Sequence, residues 1–278
     1  MPINYDKNIE GWFNFSEIYQ EAVEAAPQEG AHFVELGVLK GASTSYMASL
    51  IYDSKKNIRF DAVDWFKGSE EHKTMSGVFP AGLDDETTRT AWLYELAKSN
   101  LKPAIDLGIV NLVKKSVKEA IVEYPDQSLD FVYHDAGHEY EDLMEELPVI
   151  WKKIKPGGYL AGHDYSNWGF IGVSRAVNLF AERAGRLHVT FRSGEDTWII
   201  RKPLTDNENS KLETIPQTDS KEIILNNLKA CIKMLEQFTV QQSSPHQQDE
   251  IQEIQSQEIL EPKTKPISED AQEFSYLI

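Results

Sequence analysis

The stretch His32–Thr44, H-F-V-E-L-G-V-L-K-G-A-S-T, constrains this chain more than any other. Phe33, Val34 and Leu36 form the apolar run of a short buried strand. Gly37 and Gly41 break it, and Ala42 to Ile51 reads as a helix beginning beside Ser43. Strand, glycine turn and helix start in that order predict an α/β fold. They also form a cradle. Glycine lets the backbone approach a ligand closely and adopt positive φ, and the first amides of a helix have no partner within it.

The two glycines are spaced G-x-x-x-G, which departs from the dinucleotide fingerprint G-x-G-x-x-G. Glu35 sits in the approach to the turn, where a carboxylate suits a cationic ligand and opposes a pyrophosphate. A ligand with an ammonium and a sulfonium, such as S-adenosylmethionine, is therefore favoured over NAD. A plain strand–turn–helix connection is the competing reading.

The same alternation continues downstream. Ile58–Val63, Ile109–Val113, Leu129–His134 and Tyr159–Gly162 read as strands, and 86–100, 139–154 and 169–182 as helices. Leu143, Leu147, Ile150, Trp151 and Ile154 form one core-facing stripe, with Lys155-Pro156-Gly157-Gly158 expected to end that helix. Leu187–Phe191 and Thr197–Ile200, joined by S-G-E-D, read as a closing hairpin. Near the N-terminus, Ile18, Tyr19 and Val23 have helical spacing, and Asn14 or Ser16 is placed to cap that helix. The sum is a Rossmann-like, doubly wound, mostly parallel seven-stranded sheet with an antiparallel C-terminal hairpin at its edge. Lys67 to Asp85 is a long irregular insertion.

In such a sheet ligands bind at the carboxyl ends of the strands. Gly37, Asp64, Ser116, Asp135 and Asp164 all fall at expected strand ends. Asp64 is placed to accept hydrogen bonds from a ribose diol, and Trp65 to stack on an adenine. Ser116 is either an adenine contact or a helix cap.

Composition narrows the partners. The chain of 278 residues carries a net charge of −17, which disfavours nucleic acid and anionic membrane and favours a small-molecule partner. Residues 1–203 are expected to form the catalytic domain, 204–240 a linker with an amphipathic helix, and 241–278 a disordered acidic, Gln-rich tail that contributes nothing to folding. From Leu204 onward 14 acidic and 6 basic residues hold −8 of the charge. Cys231 is the only cysteine, and no apolar run approaches the ~18 residues that span a bilayer. A soluble, cytoplasmic protein is expected, with homo-oligomerisation left open.

Four segments carry a family resemblance: F-V-E-L-G-V-L-K-G-A-S-T, F-D-A-V-D-W-F, L-D-F-V-Y-H-D-A-G-H-E-Y-E-D-L and I-K-P-G-G-Y-L-A-G-H-D-Y. In order and spacing the chain resembles class I S-adenosylmethionine-dependent methyltransferases, and is similar to the group of macrocin-type sugar O-methyltransferases and cephalosporin-hydroxylase-like proteins. The resemblance spans roughly residues 11–202. It implies that Glu35, Gly37 and Gly41, with Ser43 beside them, hold the methionine part of the cofactor. Asp64 would hold the ribose, Trp65 and Ser116 would lie near the adenine, and Asp135 would border the cofactor. It further implies a divalent cation, Mg2+ or another, on Asp135, His163 and Asp164, and His138 as general base beside Asp135. His163 replaces an acidic residue of the family pattern, which favours manganese, iron or zinc over magnesium. The implied reaction is O-methylation of a small-molecule or sugar hydroxyl. A metal-dependent oxidising or non-catalytic relative on the same fold is the alternative.

Overall fold

In the computed structural model the described residues are 9–69, 72, 78–83 and 85–204. The chain divides after residue 215 into two units, and the described residues all belong to the first. The expected linker, helix and tail from residue 205 lie outside them.

The elements follow in order as α1 (Ser16–Ala25), β1 (Glu29–Leu36), α2 (Ala42–Ser54), β2 (Asn57–Asp64), α3 (Glu86–Asn100), α4 (Lys102–Asp106) and β3 (Val110–Lys114). Then come α5 (Val117–Ile121), β4 (Leu129–His134), α6 (Tyr140–Lys153), β5 (Ile154–Gly162), a 3-10 turn (Trp168–Phe170), α7 (Ile171–Arg183), β6 (Thr190–Arg192) and β7 (Thr197–Arg201). Among the described residues one seven-stranded sheet has the order β3-β2-β1-β4-β5-β7-β6. The first five strands are parallel, and β7 runs antiparallel to both neighbours.

Alternation along the strands builds two cores. Phe33, Phe131 and Tyr133 face one side and pack with α1 and α2. Val34, Leu36, Val132 and Leu160 face the other and pack with α6 and α7. Successive strand residues point to opposite faces, so a sheet covered on both sides has strands that are apolar throughout. Strand order reverses between β1 and β4, because β1 pairs with both β2 and β4. The crevice of an open α/β sheet lies at such a switch point. Here the ends of β1 and β4 meet there: the Asp135 amide donates to the Leu36 carbonyl at 2.7 Å.

Two expectations about local structure are corrected. Lys155–Gly158 does not cap the helix before it; α6 ends at Lys153 and the chain enters β5 directly at Ile154. Both glycines lie within β5, and a Cβ on Gly158 would stand 2.8 Å from the Asp130 carbonyl oxygen. Neither Asn14 nor Ser16 caps α1, whose N-cap is Phe15. The amide of Glu17 donates instead to Glu195 Oε1 at 2.7 Å, so the β6–β7 turn supplies the cap.

A cavity of about 860 Å³ lies between α1 and the β4-β5-β7-β6 part of the sheet, lined among others by Ile18, Phe131, Tyr159, Ile199 and Arg201. None of the sequence-predicted site residues lines it. No helix among the described residues is long and apolar enough to cross a membrane.

Candidate active site

The glycine turn has a strained backbone. Gly37 has φ +99°, Leu39 +51° and Gly41 +92°. Gly37 is required by a neighbour, because an added Cβ would stand 1.9 Å from the Asp135 carbonyl oxygen. Leu39 has no such excuse, since a branched side chain in the left-handed region costs free energy. Asp64 offsets that cost. Its Oδ2 accepts from the amides of Val38 and Leu39, each at 2.9 Å, and its Oδ1 accepts from Phe66 at 2.6 Å. The carboxylate at the end of β2 thus pins the turn after β1. Lys40, nearly buried in that turn, pairs with Glu10 at 2.7 Å.

Glu35 lies beneath the turn and is 1% exposed. Tyr19 donates to its Oε1 at 2.8 Å, Ser43 donates to the same oxygen at 2.6 Å, and Thr44 donates to Oε2. Burial raises its pKa to about 7, against the three hydroxyls, which lower it. The folded value exceeds the unfolded one, so between about pH 4.5 and 7 the native state holds the extra proton. Stability must then fall as pH rises through that window. Glu35→Gln lacks this dependence. Its stability relative to the unsubstituted protein is expected to improve between pH 5 and 8, by up to about 3 kcal/mol. Urea denaturation at four pH values checks this, and parallel pH curves for the two proteins would refute it.

Trp65 is 48% exposed, with Lys67 Nζ 5.1 Å from its ring centroid, while Phe66 turns inward and is buried. Ser116 caps α5. Its Oγ accepts from the Glu119 amide at 3.3 Å and donates to Glu119 Oε2 at 2.7 Å, and the Ser116 amide donates to the same oxygen at 3.0 Å.

The ends of β4 and β5 bring four ionisable side chains together. Strand alternation alone would send His163 and Asp164 to opposite faces. It does not apply, because β5 ends at Gly162 and Asp164 adopts φ +59°. Both side chains therefore turn to the same place. Asp164 Oδ2 lies 3.0 Å from His138 Nε2 and 3.3 Å from His163 Nδ1. His163 Nδ1 is in turn 3.9 Å from Asp135 Oδ1. Asn167 donates to Asp164 Oδ1 at 3.0 Å, and Phe170 stacks on His138 with ring centroids 3.9 Å apart. His138 does not cap α6, whose N-cap is Glu139 with no side-chain cap. His134 points the other way and is buried against Glu146 Oε2 at 2.9 Å.

Electrostatics follow this geometry. Burial raises the Asp135 carboxyl, with His163 countering and Asp164 adding to the rise. Burial opposes ionisation of Asp164, but hydrogen bonds from His138 and His163 outweigh it and hold that carboxyl well below the usual range. Burial would lower the His163 pKa, and Asp164 and Asp135 together raise it instead.

Ligand atoms of Asp135, His138 and Asp164 lie within 4.8 Å of one another, and so do those of His163, Asp164 and Asp196. Two ligands about 2.1 Å from one octahedral ion stand about 3 Å apart on adjacent corners and about 4.2 Å apart on opposite ones. The 3.3 and 3.9 Å separations of His163 Nδ1 from Asp164 and Asp135 fall in that range. The donor set of carboxylates and imidazoles fits a borderline divalent cation. Sequence reading missed the residues that support these groups from elsewhere. Asn14 bonds His163, Tyr19 bonds Glu35, and Asp196 holds Ser166 through its amide and hydroxyl at 2.7 and 2.6 Å. Asn14 and Tyr19 lie in no recognisable motif, and Asp196 ends the S-G-E-D hairpin turn.

Residues 34–165 match the family model described as a methyltransferase domain, a span that holds the glycine turn, Asp64, Ser116 and the whole acid–imidazole cluster. Solved structures similar to the chain include the O-methyltransferase NovP, 18% identical, covering 68% of this chain and 79% of that one, with a TM-score of 0.49. An O-methyltransferase from Bacillus cereus in complex with SAH is 18% identical over 70% of this chain and 82% of that one, with a TM-score of 0.44. CalS11, described as a TDP-rhamnose 3'-O-methyltransferase, is 20% identical over 67% and 76%, with a TM-score of 0.46. Among curated proteins, none matches the chain significantly.

Proposed function

We propose that this chain, a class I S-adenosylmethionine-dependent methyltransferase, methylates a hydroxyl of a small molecule or sugar beside a divalent cation. The observation that carries the reading is the meeting of Asp135, His138, His163 and Asp164 at the strand ends bordering the glycine turn. An alcohol is a poor nucleophile until it loses its proton, so a hydroxyl acceptor needs a base and charge stabilisation at one point.

S-adenosylmethionine supplies a methyl carbon on a sulfonium leaving group, and a divalent cation lowers the pKa of a hydroxyl bound to it. Asp135, His163 and Asp164 would hold that cation. His138, whose Nε2 bonds Asp164 Oδ2 at 3.0 Å, would take the hydroxyl proton on its other ring nitrogen as the new O–C bond forms and the C–S bond breaks. The Asp164 carboxylate then compensates the charge on the imidazolium. On the cofactor side, Gly37, Gly41 and Ser43 would border the methionine end, with the buried Glu35 carboxyl beneath. Asp64 has up to four lone-pair sites. The three turn amides leave it capacity for a ribose hydroxyl, with Trp65 and Ser116 nearer the adenine.

Asp64 therefore has two duties, and its loss should be felt in both. Asp64→Ala forfeits charge-assisted hydrogen bonds of about 1.5–3 kcal/mol, so cofactor affinity should drop roughly tenfold or more. Calorimetric titration measures it, and an unchanged affinity would remove Asp64 from the cofactor site.

The reaction is tested by incubating the protein with S-adenosylmethionine and a panel of free sugars, nucleotide-linked sugars and phenols. Products are read by mass spectrometry, with and without chelator. O-methyl products that vanish with chelator and return with Mn2+ or Mg2+ are expected. Transfer that ignores chelator would remove the cation, and N- or C-methyl products would overturn the acceptor class. One observation favours a second reading. Both imidazoles lie within 3.3 Å of a single Asp164 oxygen, a donor set also suited to non-haem iron. Fe2+-dependent turnover of a 2-oxo acid with no methyl transfer would select it.

A further inference from the structure

Asn14 stands outside the segment that matches the methyltransferase model, yet it reaches the centre. Its Oδ1 lies 2.8 Å from His163 Nε2. We propose that Asn14 is a positioning residue that holds a His163 proton on Nε2, leaves Nδ1 as the nitrogen facing Asp135 and Asp164, and thereby sets the affinity of this centre for a divalent cation. The inference rests on the cation reading above.

An amide oxygen only accepts, so a hydrogen bond from His163 to Asn14 requires the proton on Nε2. Nδ1, bonded to Asp164 while no cation is bound, is then the nitrogen whose proton a cation would displace. Nδ1 is the nitrogen that faces the two carboxylates, 3.3 Å from Asp164 Oδ2 and 3.9 Å from Asp135 Oδ1. The opposite arrangement would disable the centre. If the Asn14 amide were turned over, Nδ2 would donate to Nε2, and the ring proton would move to Nδ1. A cation would then have to displace the only proton of the ring, with Nε2 left as an acceptor.

The rest of His163 is already fixed. Its amide donates to the His134 carbonyl at 3.1 Å, its carbonyl accepts from Trp198 Nε1 at 3.2 Å, and the Phe15 ring packs against it with centroids 5.1 Å apart. What remains to be chosen is the position of the proton, and Asn14 is the polar side chain on the far nitrogen. Partners of this kind, behind a metal-binding imidazole, typically change metal affinity 10–100-fold when removed. Asn14 is itself exposed, so truncating it leaves no hole in the core.

The full chain should be titrated with Mn2+ by electron paramagnetic resonance, alongside Asn14→Ala, Asn14→Asp and His163→Ala. Asn14→Ala is expected to weaken Mn2+ binding roughly 10–100-fold, with thermal stability and S-adenosylmethionine affinity unchanged. Asn14→Asp, whose carboxylate can only accept from Nε2, should bind Mn2+ at least as tightly as the unsubstituted chain. Nitrogen NMR of the His163 ring should show protonated Nε2 before Mn2+ is added, and a mixture of tautomers in Asn14→Ala. Mn2+ binding that survives Asn14→Ala but is lost in His163→Ala would overturn this inference alone. No Mn2+ binding in the unsubstituted chain would overturn the cation reading and this inference with it. A ring protonated on Nδ1 alone in the unsubstituted chain would overturn the tautomer assignment directly.

Discussion

Gly37→Ala is expected to destabilise the protein by about 2–5 kcal/mol, the sum of a backbone held at positive φ and a methyl group forced into an occupied place. The added Cβ would stand 1.9 Å from the carbonyl oxygen of Asp135, closer than any van der Waals contact allows. Either the turn or the end of β4 must move, and Asp135 moves with it. For a domain of this size the loss amounts to roughly 5–15 °C in Tm. Gly108→Ala is the control. Gly108 also has positive φ, +69°, but a Cβ added there would meet nothing within 4 Å. It should lose only the conformational part, about 1–2 kcal/mol. Thermal denaturation of both variants, with cofactor titration, separates the two causes. Equal losses would show that the approach to Asp135 carries no cost.

Turnover should fall about 10²–10⁴-fold in His138→Ala if this imidazole is the general base. The variant should keep its affinity for S-adenosylmethionine. It should also keep its affinity for Mn2+ if Asp135, His163 and Asp164 suffice as ligands. The rate deficit should shrink as pH rises, because a partly ionised acceptor needs less help. Asp164→Asn should behave in the opposite sense, losing cation affinity first. The geometry makes this comparison informative, because His138 Nε2 and His163 Nδ1 face the same Asp164 oxygen at 3.0 and 3.3 Å. A His138→Ala protein that loses Mn2+ affinity along with activity would make His138 a ligand. A fully active one would leave proton removal to Asp135 or water.

Much of the architecture was legible in residue order. Helix 86–100 and strand 129–134 have the bounds that periodicity predicted, and the hairpin turns at the predicted S-G-E-D. These segments are governed by local apolar spacing, which survives in a single sequence. The end of α6 differs from the expected one, because the proline and glycines that usually stop a helix here lie within β5, with Gly158 against the Asp130 carbonyl. The N-terminus of α1 was misjudged for another reason. Its capping group, Glu195, is 178 residues away from the amide it caps.

The candidate site divides along the same line. The sequence alone placed Gly37, Asp64, Asp135 and Asp164 at strand ends, because in a parallel α/β sheet the residue after each strand is known once the strand is known. It could not decide which way those side chains point. His163 and Asp164 share one face only because Asp164 takes a left-handed backbone. Asp64 turned out to hold the glycine turn, and Ser116 a helix start. Nor could spacing reveal that Asn14 and Tyr19 reach His163 and Glu35 from the N-terminal segment. Those contacts depend on where separate elements meet in space. Local pattern specifies elements and their ends, while partners brought together by packing are specified only by the folded chain.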